Sequence, residues 1–219
     1  MTDRFQQTRP APPPIVWTMA LIFAAFELAF HLGATGDYLR ALAFSRLSFF
    51  DFWFQRVLAG EDVPFVFWTS FLTYGFLHGG LLHLLMNGAI FLALGGMLAN
   101  ALGPGRFLIL FFASSAAGAL VWGLLYTGDE HAQLVGASGA IFGFIGTLKR
   151  WEWRWIAATG APQNRFWGTI IALTLLNVLL AFAGPGGAAV AWQAHLGGFV
   201  GGWLIAPALA PGRAGPSPI

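Results

Sequence analysis

Six apolar segments follow one another along this chain, and that succession restricts its fold more than any motif does. They lie near residues 15–32, 80–102, 107–126, 135–149, 166–183 and 188–208. Most are roughly 17–25 residues long, the length a helix needs to cross a hydrocarbon core. Lipid offers the backbone no hydrogen bonds, so a spanning segment must satisfy its own N–H and C=O groups, which a helix does. Of the 219 residues, 57% are hydrophobic and only 9% charged, where a soluble domain carries about 25% charged residues. The predicted fold is therefore an all-α, multi-pass integral membrane protein, a six-transmembrane-helix bundle forming one domain over residues 15–208. The polar, proline-rich stretch 1–14 is expected to be disordered, as is the tail 209–219. The first stretch lacks a cleavable-signal pattern, so the first segment is expected to stay as a span.

The basic residues predict the orientation. Arg4 and Arg9 precede the first segment, Arg106 lies between the second and third, and Arg213 follows the sixth. Lys149, Arg150, Arg154 and Arg165 crowd the expected loop between the fourth and fifth, against Glu152 alone. Cytoplasmic loops are enriched in Lys and Arg, so both termini are expected in the cytoplasm, with a bacterial inner membrane as the location. The formal net charge of +2 gathers into no basic face, which argues against a nucleic-acid partner. With no cysteine in the chain, disulfides and thiol catalysis are excluded.

One connection is long. Residues 33–77 carry Arg40, Arg46, Arg56 and four acids together with the run Phe49-Phe50-Asp51-Phe52-Trp53-Phe54. Aromatics mixed with charges suit the headgroup layer, so short amphipathic helices half-sunk in the outer leaflet are expected there. Glu27 and His31, four apart on the first segment, are expected to pair with each other.

Three segments carry polar groups that hydrocarbon makes expensive, and such groups are functional candidates by default. They are His78, His83 and Asn87 at the second segment, Ser138 in Gly136-Ala137-Ser138-Gly139 at the fourth, and His195 at the sixth. These segments are predicted to run in one direction, from outside to inside. At about 1.5 Å per residue, His83, Asn87, Ser138 and His195 all fall roughly 5–10 Å below the outer helix ends.

Their chemistry is complementary. A serine hydroxyl becomes a nucleophile when a base takes its proton, and His195 can do this, since a free imidazole titrates near neutrality. His83 and Asn87 are four apart on one helical face and, with the Ser138 N–H, could serve as donors to an oxyanion. With no aspartate in any segment, a Ser–His dyad is expected rather than a triad. Phe142, one turn after Ser138, is placed to pack on the imidazole. No His-x-x-x-His pair is present and no carboxylate accompanies the three histidines at the second and sixth segments, so neither a metal nor another cofactor is expected. Small residues such as Gly198 and Gly202 also serve close helix packing.

These residues resemble the rhomboid family of intramembrane serine proteases. The matching strings are His78-Gly79-Gly80-Leu81-Leu82-His83-Leu84-Leu85-Met86-Asn87, Gly136-Ala137-Ser138-Gly139-Ala140-Ile141-Phe142-Gly143, and Ala194-His195-Leu196-Gly197-Gly198 with Gly202. The resemblance covers about residues 67–208. It implies a rhomboid-like bundle with Ser138 as nucleophile, His195 as general base, and His83 and Asn87 lining the oxyanion hole. It implies supporting places for Gly136, Gly139 and Phe142, puts His78 near the active-site mouth, and has Gly198 and Gly202 bring the sixth span close to the fourth. The first loop and the fifth span would border the path of a transmembrane protein substrate from the bilayer. Two departures stand out. Thr69 follows Trp68 where the family often has arginine, and Met97, Leu98 and Ala99 follow Gly95-Gly96 where it often has glutamate.

The reading is an intramembrane serine endopeptidase that cleaves single-pass membrane proteins through an acyl-enzyme. A catalytically inactive rhomboid-like chaperone and a small transporter are the alternatives.

Overall fold

The computed structural model describes residues 10–129, 131–182 and 190–209. The termini predicted to be disordered lie for the most part outside these residues, as do Arg4, Arg9 and Arg213. The described chain is mostly helical. Helix α1 (Pro14–Ala29) leads into α2 (Gly33–Leu47), α3 (Asp51–Leu58) and α4 (Phe65–Thr73), the last closed by a 3₁₀ turn Tyr74–Phe76. Next, α5 (Leu81–Ile90), a π-helical turn (Phe91–Gly95) and α6 (Gly96–Leu102) form a continuous helix, followed by α7 (Pro104–Leu125), α8 (Ser138–Thr159), α9 (Asn164–Phe182) and α10 (Trp192–Ile205). Two two-residue strands, Phe49–Phe50 and Gln133–Leu134, pair antiparallel, with Phe49 opposite Leu134.

Among the described residues, three helices are long and apolar enough to cross a membrane: Leu81–Leu102, Pro104–Leu125 and Asn164–Phe182. Helices α1 and α10 have 16 and 14 residues. At 1.5 Å per residue they reach only about 24 and 21 Å, short of a hydrocarbon core of about 30 Å. Helix α8 is long enough at 22 residues. However, its second half carries Lys149, Arg150, Glu152 and Arg154, and this corrects the expected loop between the fourth and fifth segments. The helix runs on to Gly160, whose left-handed backbone (φ 68°) ends it. The loop shrinks to 160–163. Lys149 is neutralised one turn on by Glu152, Nζ to Oε2 2.6 Å, and Arg150 lies over the Trp203 ring.

Two apolar clusters fix the bundle. Phe23 of α1 meets Phe91 and Phe111 in one, which Phe107 and Phe144 complete. Phe49, Phe54, Phe67, Trp122 and Leu134 form the other. The second cluster refines the expectation for residues 33–77. Short helices do form there, but Phe49 and Phe54 point into protein, while Phe52 is exposed. The Phe49 ring meets Phe71 at 4.7 Å and Phe67 at 5.4 Å between centroids.

Glu27 pairs differently from expectation. Its carboxylate is fully buried and faces Arg40 Nη1 of α2 at 3.6 Å, while the His31 ring bonds the Glu27 backbone carbonyl at 2.8 Å. A buried carboxylate is costly unless a cation accompanies it, and α2 brings one that the first segment lacks.

Candidate active site

Ser138 is the first residue of α8, preceded by Ala137 as N-cap. The first N–H groups of a helix have no intrahelical acceptor, and the helix dipole makes that end favourable for negative charge. A hydroxyl and free backbone donors thus share one helix end, and Ser138 is half-buried.

The turn that starts the helix depends on Gly136. Its φ is 115°, a region that side chains rarely adopt. A Cβ there would lie 2.8 Å from His83 Cε1 and Nε2 and 4.0 Å from Ser138 Oγ. The missing methyl therefore marks the gap between the His83 imidazole and the serine hydroxyl. Tyr74 holds this turn: its carbonyl accepts the Gly136 N–H at 3.1 Å, while its buried hydroxyl donates to the Ser115 carbonyl at 2.9 Å. The sequence reading missed Tyr74.

His83 and Asn87 are the third and seventh residues of α5, on one face. The His83 Nδ1 accepts the Gly79 N–H at 3.2 Å, which leaves the Cε1–Nε2 edge toward Gly136. Asn87 is buried, and its Nδ2 donates to the His83 carbonyl at 3.0 Å. His78 is buried behind them, its ring 5.2 Å from that of His83 and 5.4 Å from Phe23.

His195 is the fourth residue of α10. Helix α10 lies directly on α8 because both are bare at the contact. A Cβ on Gly198 would strike the Gly139 carbonyl, and one on Gly202 the Gly143 carbonyl. Thr147 adds a hydroxyl bond to the Gly202 carbonyl at 3.0 Å. This approach sets His195 beside the first turn of α8. Its ring stacks on Phe142, with centroids 4.1 Å apart and planes 7° from parallel. The imidazole is buried, and its Nε2 has no protein partner. On its other nitrogen the structure places a residue the sequence reading did not name: Asn177 Oδ1 of α9 lies 2.6 Å from His195 Nδ1. Both residues line a cavity of about 560 Å³ walled by apolar side chains of α9 and α10, including Leu173, Val178, Trp192 and Phe199. The sequence signal was available, since Asn177 is an amide in the apolar run 170–182.

The arrangement gathers a hydroxyl at a helix N-terminus, a buried imidazole with an unoccupied nitrogen, and a second imidazole across a glycine turn. Among the described residues no three His, Asp or Glu side chains gather as a metal ligand set.

The Rhomboid domain family model matches residues 66–212. The chain belongs to the rhomboid family. Rhomboid protease GluP of Bacillus subtilis is 31% identical over 68% of this chain and 27% of its own length. RHOMBOID-like protein 5 of Arabidopsis thaliana is 32% identical over 59% of this chain and 40% of its own. Rhomboid protease GlpG of Photorhabdus laumondii is 27% identical over 62% of this chain and 45% of its own. This rhomboid thus spans between about a quarter and a half of the length of these relatives.

Both departures from the family pattern have a structural counterpart. Thr69 bonds within its own helix, Oγ1 to the Val66 carbonyl at 2.9 Å. The surrounding loop is instead tied down by the Phe49 cluster and by cross-element bonds, Thr73 Oγ1 to the Leu47 carbonyl at 2.9 Å and Gln55 Nε2 to the Gly123 carbonyl at 3.2 Å. Leu98 and Ala99 lie inside the first apolar cluster, so an uncharged contact stands where a glutamate is common.

Proposed function

We propose that this rhomboid is an intramembrane serine endopeptidase that cleaves single-pass transmembrane proteins within or just outside the bilayer. The observation that carries this reading is the stacking of His195 on Phe142, one turn beyond Ser138, with the imidazole's Nε2 left without a partner. Ser138 is the nucleophile. Its Oγ attacks the scissile carbonyl carbon while its proton passes to His195 Nε2. The oxyanion is held by the Ser138 N–H, His83 and Asn87. Collapse of the tetrahedral species breaks the C–N bond, and the His195 proton leaves with the amine. Water then repeats the sequence on the acyl-enzyme, which restores Ser138 and releases the acid.

The domain is residues 15–208, with six spans and both termini in the cytoplasm of a bacterial inner membrane. Ser138, His83, Asn87 and His195 then lie near the outer face, where water reaches them. A substrate helix hides its carbonyls in internal hydrogen bonds, so its cleaved segment must unwind there. Gly136, Gly139, Gly198 and Gly202 give the backbone its close approaches, and His78 supports His83 from behind.

The test is cleavage of a single-pass transmembrane reporter by the purified protein in liposomes. The parent cleaves it and Ser138→Ala does not. His83→Ala and Asn87→Ala each slow turnover about 10-fold to 1000-fold. Equal cleavage by the Ser138→Ala protein overturns the protease reading.

A further inference from the structure

We infer that Asn177 is a positioning residue that holds the His195 imidazole in the tautomer able to deprotonate Ser138; this rests on the protease reading above. Its amide is bonded at both ends to α10. Oδ1 lies 2.6 Å from His195 Nδ1, and Nδ2 donates to the Trp192 carbonyl at 3.4 Å. These two contacts fix the protons by elimination. A backbone carbonyl only accepts, so the amide end facing Trp192 is Nδ2. The end facing His195 is then Oδ1, which also only accepts. Nδ1 must therefore carry the hydrogen, and the lone pair of the neutral ring is on Nε2. The flipped amide would set Oδ1 against the Trp192 oxygen. The other tautomer would set two lone pairs 2.6 Å apart. Each alternative opposes two acceptors and loses a hydrogen bond.

The Nε2 that this arrangement leaves basic is the nitrogen with no protein partner. Asn177 thus supplies an acceptor from the side of the ring away from the nucleophile, the place a carboxylate takes in many serine hydrolases and an asparagine takes in papain-like proteases. An amide suits this depth better than a carboxylate. It orients the ring and accepts the same hydrogen bond without a second charge in an apolar wall, where charge is costly.

The neighbouring hydroxyl behaves differently. Thr174, one turn earlier, spends its Oγ1 on the Ile170 carbonyl of its own helix at 2.9 Å, as threonines in helices do. Asn177 instead reaches across to α10. Phe166, near the other end, is the one buried residue of α9, and besides Asn177 the last turns are tied toward α10 by the Leu180 carbonyl, which accepts the Val190 N–H at 3.3 Å. The seat of α9 and the readiness of the base are therefore linked through one amide. If α9 moves outward, the Nδ1 acceptor goes with it and the ring is free to turn or to exchange tautomers.

Inactivation of the protein in detergent by a fluorophosphonate tests this, since it reports Ser138 reactivity without a transmembrane substrate. Asn177→Leu keeps size and apolarity but removes the acceptor. Its maximal inactivation rate should fall at least about tenfold, with the reagent's half-saturation within about twofold of the parent. Asn177→Asp restores the acceptor and should recover most of the rate. An Asn177→Leu rate equal to the parent's, or an Asn177→Asp rate as low as that of Asn177→Leu, overturns the inference. The ¹⁵N spectrum of histidine-labelled parent, with His195 assigned by its substitution, reads the tautomer directly and does not depend on any reaction. An Nδ1–H signal is expected, and an Nε2–H signal overturns the inference. If Ser138 in the parent does not react at all, the protease reading fails, and the spectrum still decides the placement of Asn177.

Discussion

The Phe142 ring lies face to face with the His195 imidazole, with centroids 4.1 Å apart and planes 7° from parallel. Stacked aromatic pairs contribute about 0.5–1.5 kcal/mol beyond area burial, and here the pair also sets the plane in which Nε2 lies. Phe142→Ala is expected to lower the turnover rate of a transmembrane reporter about tenfold while binding changes little. Phe142→Tyr, which keeps the ring, should stay close to the parent.

The contact of α8 with α10 leaves no room for a methyl group. In Gly198→Ala the new Cβ would meet the Gly139 carbonyl, and the helices must separate. Overpacking of this kind costs about 1–3 kcal/mol or more. Thermal unfolding in detergent should show Gly198→Ala clearly destabilised. Gly168→Ala on α9, where a Cβ meets nothing, should be neutral or more stable by about 0.5–1 kcal/mol.

The first loop separates into a structural half and a peripheral one. Phe49 is fully buried among Phe67, Phe71 and Trp122, so Phe49→Ala should lose about 3–5 kcal/mol of stability. Phe52 is exposed and Trp53 half-buried at the edge of the same cluster, with Arg56 over both rings. Replacing both with serine is expected to change cleavage of a membrane-embedded reporter far more than labelling of Ser138 by a small reagent. An equal loss of the two activities would show that these rings support the catalytic fold itself.

Orientation can be read with single cysteines, since the chain has none. Gln163, exposed in the short turn between α8 and α9, should resist an impermeant thiol reagent added outside intact cells when replaced by cysteine. Reaction from outside would place the α8–α9 turn, and with it both termini, on the opposite face.

Much of the site was legible because helical period and polar content act locally. His83 and Asn87 share a face of α5 because four residues make about one turn. Ser138 was expected about three residues into a segment starting at Val135, whereas it is the first residue of α8, because Gly136 at φ 115° makes a turn where helix was expected. Gly198 and Gly202 announce a close approach because nothing larger fits against Gly139 and Gly143. What escaped notice was set by contacts between distant segments. Asn177 gains its meaning only when α9 lies beside α10, and Glu27 only when α2 brings Arg40 back to α1. The end of α8 was misplaced for another reason: Lys149 to Arg154 lower hydropathy without breaking the helix. Gly160, the left-handed cap, was the stop signal, and the charges were read in its place. Tyr74 was missed because its two roles, one backbone carbonyl and one hydroxyl, join residues far apart in the chain.

The central claim is that Ser138 is a nucleophile activated by His195. The most direct measurement is to react the purified protein with a fluorophosphonate and map the adduct by mass spectrometry. The account predicts a phosphonyl group on Ser138, absent in Ser138→Ala, and a rate in His195→Ala lower by at least about 1000-fold. An adduct on Ser114 or Ser115 instead, or labelling that survives Ser138→Ala unchanged, would contradict it.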